Sequence, residues 1–290
     1  MSKFFSTAAI LATLLSTVTG HTAVKDITVN GKTYPGFRGA SKAEAKANSP
    51  AWPTNQGWGF QPVYGEKINH PDIIAHIGAT PSTFAVDVPA GKDVTFNWHH
   101  DGSCGAGEVG WDCSHHGWTS VWLAKVPNNQ EWSSVDKTQL NFFKISESAL
   151  IDYRSGRYST NGATGKESVG YWGTDKIFYD QGNKQTVTIP KDLPNGKYVL
   201  RTEVTSIHNQ GQKSAQLWPQ AFSINLTGGN DNKPVPQGQK GTEIYKTSDA
   251  LLNWNIYWHE GGKTFASAPG SALASVASAK STRRHARDFA

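Results

Sequence analysis

Three histidines in this 290-residue chain stand at positions that suit a metal site. His21 follows Gly20 at the end of an apolar N-terminal segment, and His115 and His116 form a pair in WDCSHHGWTSVWLAKV. If processing makes His21 the N-terminal residue, its α-amine and its ring offer two nitrogens to one metal ion. One ring of the histidine pair would complete a T-shaped set of three nitrogens. Such a set suits tetragonal Cu(II), the ion that heads the affinity order of divalent first-row metals.

The first twenty residues have the layout of a secretory signal. Lys3 precedes an apolar run from Phe4 to Leu15, and small residues at Val18 and Gly20 precede the expected cleavage point. The run is too short to span a bilayer, and no later segment is long and apolar enough. We therefore predict a signal peptide at residues 1–20, no membrane span, and a secreted, extracellular protein that begins at His21.

Positive charge is concentrated at the C-terminal end. The formal net charge is +5, but without Lys3 and the four basic residues of KSTRRHARDFA the acidic and basic residues nearly balance. A neutral body with a basic tail is not typical of nucleic-acid binding. From Pro269 the chain is Ala/Ser-rich and then basic, which predicts a disordered tail over residues 269–290.

The two cysteines, Cys104 and Cys113, lie close together in CGAGEVGWDC. In an oxidising compartment this spacing favours a disulfide that closes one loop. Zinc binding is the alternative, but two thiols supply too few ligands for it.

Short β-branched or aromatic segments that end at Gly, Pro, Asn or Asp predict many strands. In KYVLRTEV, Tyr198 and Leu200 share one face while Arg201 and Glu203 share the other. Because no long segment has a 3.6-residue period, we predict an all-β, immunoglobulin/fibronectin-like antiparallel β-sandwich with long loops over residues 21–268.

The chain also resembles the fungal lytic polysaccharide monooxygenases of auxiliary activity family nine, formerly glycoside hydrolase family sixty-one. The resemblance rests on segments that recur in the family's order from His21 to about Pro269: HTAVKDITVNGKTYPG, PDIIAHIGATP, SHHGWTSVWLAKV, VDKTQLNFFKISESAL, TVTIPKDLPNGKYVLRTEV, SIHNQGQKSAQLWPQAFSINLTGG and GTEIYKTSDALLNWNIYW. It implies a copper-dependent enzyme that oxidatively cleaves polysaccharides, typically cellulose or other β-1,4-glucans. One copper per chain, an external electron donor and a monomeric state are expected.

By the same resemblance, His21 and His115 form a histidine brace, in which an amine and two rings bind copper, and His116 is a neighbour. His208 in SIHNQG and Gln216 in SAQLW match the family's second-sphere residues, which orient ligands and suit proton delivery. A purely structural alternative is that His208 and Gln216 satisfy buried strand polarity.

Two positions depart from the family pattern. Trp218 occupies the axial position, where the family usually has a tyrosine, and its indole donates a hydrogen bond but cannot ligate as a phenol oxygen can. The family's common long-range disulfide would join positions near Ala75 and Ala221, and both are alanine. The first departure concerns activity, and the second concerns stability.

Two function classes follow. The first is a polysaccharide monooxygenase that grips its substrate with exposed aromatic residues, for which the candidates are Phe37, Trp58, Phe60 and Phe265. The second is a histidine-brace copper-binding protein, for copper handling or glycan surface binding, in which Trp218 accompanies a loss of cleavage. A hydrolase with paired carboxylates is disfavoured because no acid pair stands out. Asn225 begins an N-glycosylation sequon, Asn225-Leu226-Thr227.

Overall fold

The computed structural model describes residues 21–36, 47–55, 61–100, 115–153, 169–209, 211–257 and 265–277. The predicted signal peptide lies outside these ranges. So do Cys104, Cys113 and three of the candidate substrate-binding aromatics, Phe37, Trp58 and Phe60.

The fold consists of two main β-sheets and one two-stranded ribbon. The four-stranded sheet consists of β1 (Thr22–Val29), β2 (Lys32–Pro35), β5 (Asp93–His100) and β10 (Lys184–Thr188). Their order is β10-β5-β1-β2, and all of the pairs are antiparallel. β1 and β2 form a hairpin whose turn contains Asn30 and Gly31, both at positive φ, as the Asn-Gly pair in TVNGKT predicts.

The seven-stranded sheet consists of β3 (Val63–Tyr64), β4 (Val86–Pro89), β6 (Thr119–Lys125), β7 (Asn141–Ser148), β11 (Gly196–Ser206), β12 (Gln216–Thr227) and β13 (Gln239–Lys240). Their order is β13-β7-β6-β11-β12-β3, and β4 also pairs with β12. β8 (Leu150–Asp152) and β9 (Tyr171–Trp172) form the ribbon. The β4–β12 pair is parallel, which the antiparallel prediction did not include. β3 covers only the first two residues of this edge of β12, and β4 covers the other end.

Helices in the described residues are short. They include α1 (Asp72–Ala75), α2 (Gly173–Asp175), a π-helical turn (Lys176–Asp180), and 3-10 turns at Gly65–Lys67, Trp132–Ser134, Lys137–Gln139, Gln212–Ser214 and Gly241–Glu243. No helix in these ranges has the length and apolar character needed to cross a membrane. The two main sheets and the short helices confirm the predicted β-sandwich.

Two apolar clusters cover the two faces of the large sheet. One lies between the sheets and joins Val24 and Phe96 of the small sheet to Leu200 and Trp218 of the large one. The other lies on the outer face, where residues from the connecting segments cover the sheet, among them Trp52, Ile73, Trp118, Tyr245 and Leu251. Both faces of the large sheet are therefore buried, and the connecting segments bury its outer face.

The predicted start of a disordered tail at residue 269 is wrong for residues 269–277. Leu273 bridges to Lys144 of β7, and the Ala274 amide donates to the Lys144 carbonyl at 2.8 Å. The fully buried Lys144 ammonium donates to the carbonyls of Ala268 and Pro269. An Ala-rich segment can pack here because small apolar residues and a buried cation hold it to the sheet. Residues 278–290 lie outside the described ranges.

Candidate metal centre

The loop that carries the histidine pair is fixed by backbone hydrogen bonds on one side. The Ile207 amide donates to the His116 carbonyl at 2.9 Å, and the Thr205 amide donates to the Trp118 carbonyl at 2.9 Å. Between them, a Cβ added to Gly117 would lie 2.0 Å from the Thr205 carbonyl oxygen. The glycine of SHHG is therefore required for close approach of the loop to the end of β11.

The second histidine of the pair is held by an acid. His116 Nδ1 lies 2.8 Å from Asp175 Oδ1 of α2, and both side chains are buried. The other Asp175 oxygen accepts from the Trp172 amide at 2.8 Å. This pair ties the loop to α2, so the His116 ring has a structural partner on that side.

The first histidine of the pair contacts two predicted site residues. His115 is buried, and its ring centroid lies 4.0 Å from that of His208 and 6.1 Å from that of Trp218. His208 is half-buried, and its Nδ1 lies 2.6 Å from the hydroxyl of buried Ser206. The structure thus brings His115, His208 and Trp218 together at one end of the sandwich.

Gln216 lies in the same region, at the start of β12. It is half-buried, with Ser206 of β11 opposite it on one side and Tyr64 of β3 on the other. Directly opposite residues of an antiparallel pair share a face, and their Cβ atoms are about 4.5–5.5 Å apart. Gln216 and Trp218, two residues apart on one strand, share that face as well. Gln216, Trp218, Ser206 and Tyr64 therefore lie on one face.

His21 directly precedes β1 and is half-buried. Its neighbour Thr22 is fully buried, pairs with His100 of β5, and donates its hydroxyl to the His99 carbonyl at 2.8 Å. Three residues along β1, the Val24 amide donates to Gln220 Oε1 at 3.0 Å. Gln220 is two residues from Trp218 on β12. Three extended residues span at most about 10 Å, so His21 begins near the end of the sandwich that carries His115.

These residues fit a copper site of the brace type. Imidazole rings suit copper, and the loop holds the His115 ring at the sandwich end where the first strand starts. No three His, Cys, Asp or Glu side chains of the described ranges cluster to hold a metal. A brace uses only two such side chains, because its third ligand is an amine.

Other predicted residues lie in less distinctive surroundings. Phe265 is half-buried and packs its ring edge-to-face on Trp254 at 5.1 Å, so part of its surface is used in packing. Asn225 is partly exposed, and its side-chain amide donates to Asp87 at 3.1 Å.

Three residues of this region were not identified from the sequence. Asp175 and Gln220 act through partners 59 and 196 residues away, and no local pattern marks such contacts. Tyr64 is 46% exposed and stands opposite Gln216. Its position in an aromatic-rich loop region was the one available signal.

Comparison with known proteins agrees with the family resemblance of the sequence. A sequence model of Auxiliary Activity family 9 (formerly GH61) matches residues 21–265, a range that begins at His21. "AA9 family lytic polysaccharide monooxygenase AA17" of Aspergillus oryzae is 36% identical over 265 residues, which cover 89% of this chain and 92% of that protein. "AA9 family lytic polysaccharide monooxygenase A" of Penicillium parvum is 36% identical over 262 residues, with 89% and 93% coverage.

A solved structure is similar as well. The extended catalytic domain of H. jecorina LPMO9A superposes with a TM-score of 0.66 at 28% identity, over 89% of this chain and 98% of that one.

Proposed function

Because the chain belongs to Auxiliary Activity family 9, whose members are lytic polysaccharide monooxygenases, we propose that it is a secreted copper enzyme that oxidatively cleaves β-1,4-glucans such as cellulose. The observation that carries the proposal is the convergence of His115, His208 and Gln216 at the sandwich end where the chain of β1 starts. The family match begins at His21, which supports removal of residues 1–20.

In this proposal, the amine and ring of His21 and the ring of His115 hold one copper ion. When bound, copper supplies the redox chemistry with oxygen or peroxide that leads to hydrogen abstraction from a sugar C–H beside the glycosidic bond. An external donor supplies the electrons. The protein holds the ligands in place and positions the polar groups beside them.

His208 and Gln216 have separate roles. The hydrogen bond between Ser206 and His208 Nδ1 fixes the imidazole next to the His115 ring, and its other nitrogen can hold or deliver a proton. Gln216 offers an amide that can donate a hydrogen bond to an oxygen species beside the metal. Neither residue needs to ligate copper for this function.

The first prediction distinguishes the members of the histidine pair. His115→Ala should weaken Cu(II) binding far more than His116→Ala, because His116 is bonded to Asp175. His116→Ala should instead lower thermal stability, since buried Asp175 loses a partner at a cost of about 1–3 kcal/mol. Copper titration and thermal unfolding of both variants provide the measurements. Equal losses of copper affinity would contradict the assignment of His115.

The second prediction concerns the exposed ring of Tyr64. Tyrosine rings bind apolar faces with little loss of conformational entropy, and this ring stands beside Gln216. We expect Tyr64→Ala to reduce retention on cellulose while copper affinity is unchanged. The half-buried Phe265 provides a comparison, because Phe265→Ala should change retention less. The reverse order would remove Tyr64 from the substrate surface.

Copper binding without glycan cleavage is the second candidate function, and Trp218 is the observation that favours it. The indole is fully buried beside His115, and the family resemblance aligns it with a position where a phenol is usual. An indole cannot supply an axial oxygen, and axial ligands tune copper sites. Under this alternative the chain binds copper normally and releases no oxidised sugars.

The third prediction tests the role of Trp218. In Trp218→Tyr, the smaller ring should fit the buried site and place a phenol oxygen, a possible copper ligand, in the region beside His115. The electron paramagnetic resonance spectrum of bound Cu(II) should therefore change. Glycan cleavage by the wild type under the same conditions separates the enzyme from the copper-binding alternative. An unchanged spectrum would show that residue 218 does not affect the metal.

A further inference from the structure

Within the described residues, Thr22 to Val24 pair with a strand on one side only, and the backbone bonds on the other side reach no further than Lys25, whose carbonyl accepts from the Gly36 amide. β1 pairs with β5 from Thr22 onward, whereas β2 ends at Pro35, opposite Asp26. The β1–β5 register also shifts between Val24 and Asp26, so that Lys25 is an extra residue in β1. Such a bulge interrupts the ladder and bends the strand locally.

A side chain of the large sheet bonds the backbone of β1 at this point. The Val24 amide donates to Gln220 Oε1 of β12 at 3.0 Å, across the space between the two sheets. Gln220 is 9% exposed and shares its face of β12 with Gln216 and Trp218. Because an N–H group requires an acceptor, this bond also fixes the orientation of the Gln220 amide, with its oxygen toward Val24.

The amide nitrogen of Gln220 has no hydrogen-bond partner among the described residues, although it is buried. Leaving a buried donor unpaired costs about 1–3 kcal/mol. Alanine or leucine would avoid this cost, but neither could accept from Val24. The presence of a buried glutamine is therefore best explained by the bond to the N-terminal strand.

We propose that Gln220 is a positioning residue that fixes the start of β1, and through it the His21 amine and ring, against the strand that carries Gln216 and Trp218. The proposal rests on the copper function above. Chain ends fray unless they are tied down, and among the described residues the strand pairing of Thr22 to Val24 is with β5. The Gln220 bond adds a tie to the large sheet, so that the amine is already in place when a metal binds.

The test compares Gln220→Met with a matched control, Gln185→Met. Methionine keeps the length of glutamine but has only a weak sulfur acceptor. Gln185 is also buried between the sheets, and its Oε1 accepts from Trp98 Nε1 at 3.1 Å and Thr202 Oγ1 at 2.7 Å. Gln185→Met therefore removes a buried acceptor without touching the backbone of β1. Gln220→Glu, which keeps an oxygen acceptor, tests rescue.

Two properties of the mature protein are measured. In the copper-free protein, hydrogen exchange of the Val24 amide should be faster in Gln220→Met and near the wild-type rate in Gln185→Met and Gln220→Glu. In titrations, Gln220→Met should bind Cu(II) about 10-fold more weakly, the lower end of the effect of losing a partner of a ligand, because Gln220 acts through Val24, and Gln185→Met should bind as the wild type does.

The outcomes separate this proposal from the copper function. Unchanged Val24 exchange in Gln220→Met, unchanged copper affinity, or equal losses in Gln185→Met would each overturn the positioning role. If the wild type fails to bind Cu(II), the copper function fails, and the positioning role toward His21 fails with it. Faster Val24 exchange in that case would leave only a structural role for Gln220.

Discussion

A mature protein that retains Gly20 ahead of His21 is expected to lose tight Cu(II) binding. In that variant the α-amine of His21 becomes an amide, whose N–H is a poor ligand at neutral pH, and the brace keeps only its two rings. Outer-shell changes already cost about 10–100-fold in metal affinity, so removal of a direct ligand should cost more than about 100-fold. Competition titration with a chelator measures the difference.

The control for this experiment is the same polypeptide after proteolytic removal of Gly20. Because the two proteins then differ by one residue, restored affinity would assign the effect to the free amine. Thr22 is buried and paired with His100, so the strand that follows should be intact in both proteins. Equal affinity with and without Gly20 would remove His21 from the metal site.

Glu203→Gln is expected to destabilise the fold strongly. Glu203 and Arg201 are fully buried and paired, and Arg201 also donates to the carbonyls of Ile73 and Ile74, next to Ala75 of α1. The Tyr245 hydroxyl donates to Glu203 as well, and burial raises the pKa of Tyr245 well above its ordinary value, so the phenol stays protonated. Neutralising Glu203 leaves the Arg201 charge buried without a counter-ion, at a cost of about 3–5 kcal/mol.

For a domain of this size, that cost should lower Tm by about 10 °C, which calorimetry would measure. The matched control is Glu131→Gln, which removes the partner of Lys197 at 3.4 Å, where the Glu131 side chain is 82% exposed. Exposed pairs contribute at most about 1 kcal/mol, so the control should shift Tm by much less. Similar shifts in both variants would contradict the role given to the buried network.

The Arg201–Glu203 network lies beside the two alanines at which the family resemblance predicts a disulfide. Ala75 and Ala221 are both buried in the outer cluster, and Arg201 is the register partner of Ala221. The guanidinium therefore connects the large sheet to α1 close to both alanines. Because a charged network makes this contact between the large sheet and α1, the stability of this region should be sensitive to neutralisation of Glu203.

Residue alternation predicted the sandwich because it is a local property. In β11, Tyr198 and Leu200 face the space between the sheets and Val199 faces outward, as the pattern KYVLRTEV indicates. The burial of Arg201 and Glu203 could not be predicted in this way. Their partners include carbonyls about 127 residues earlier in the chain. These groups come together only when the connecting segments pack on the outer face of the large sheet.

Sequence motifs predicted those residues of the candidate site that lie within the motifs. The segments around His115, His208, Gln216 and Trp218 indicated residues that the structure places at one end of the sandwich. Motifs did not indicate Gln220 or Tyr64, because their relevance comes from a hydrogen bond between the sheets and from edge-strand pairing. The packing of residues 269–277 was missed because an Ala/Ser-rich composition resembles that of a linker.

Product analysis on cellulose tests the central claim most directly. The mature protein is incubated with cellulose, copper, oxygen and ascorbate, alongside reactions that lack the reductant or contain a chelator, and xyloglucan and chitin serve as further substrates. A monooxygenase should release oligosaccharides with oxidised ends only when both copper and reductant are present. Release of unoxidised oligosaccharides that persists with the chelator, or tight copper binding with no oxidised product from any of the three glycans, would contradict the account.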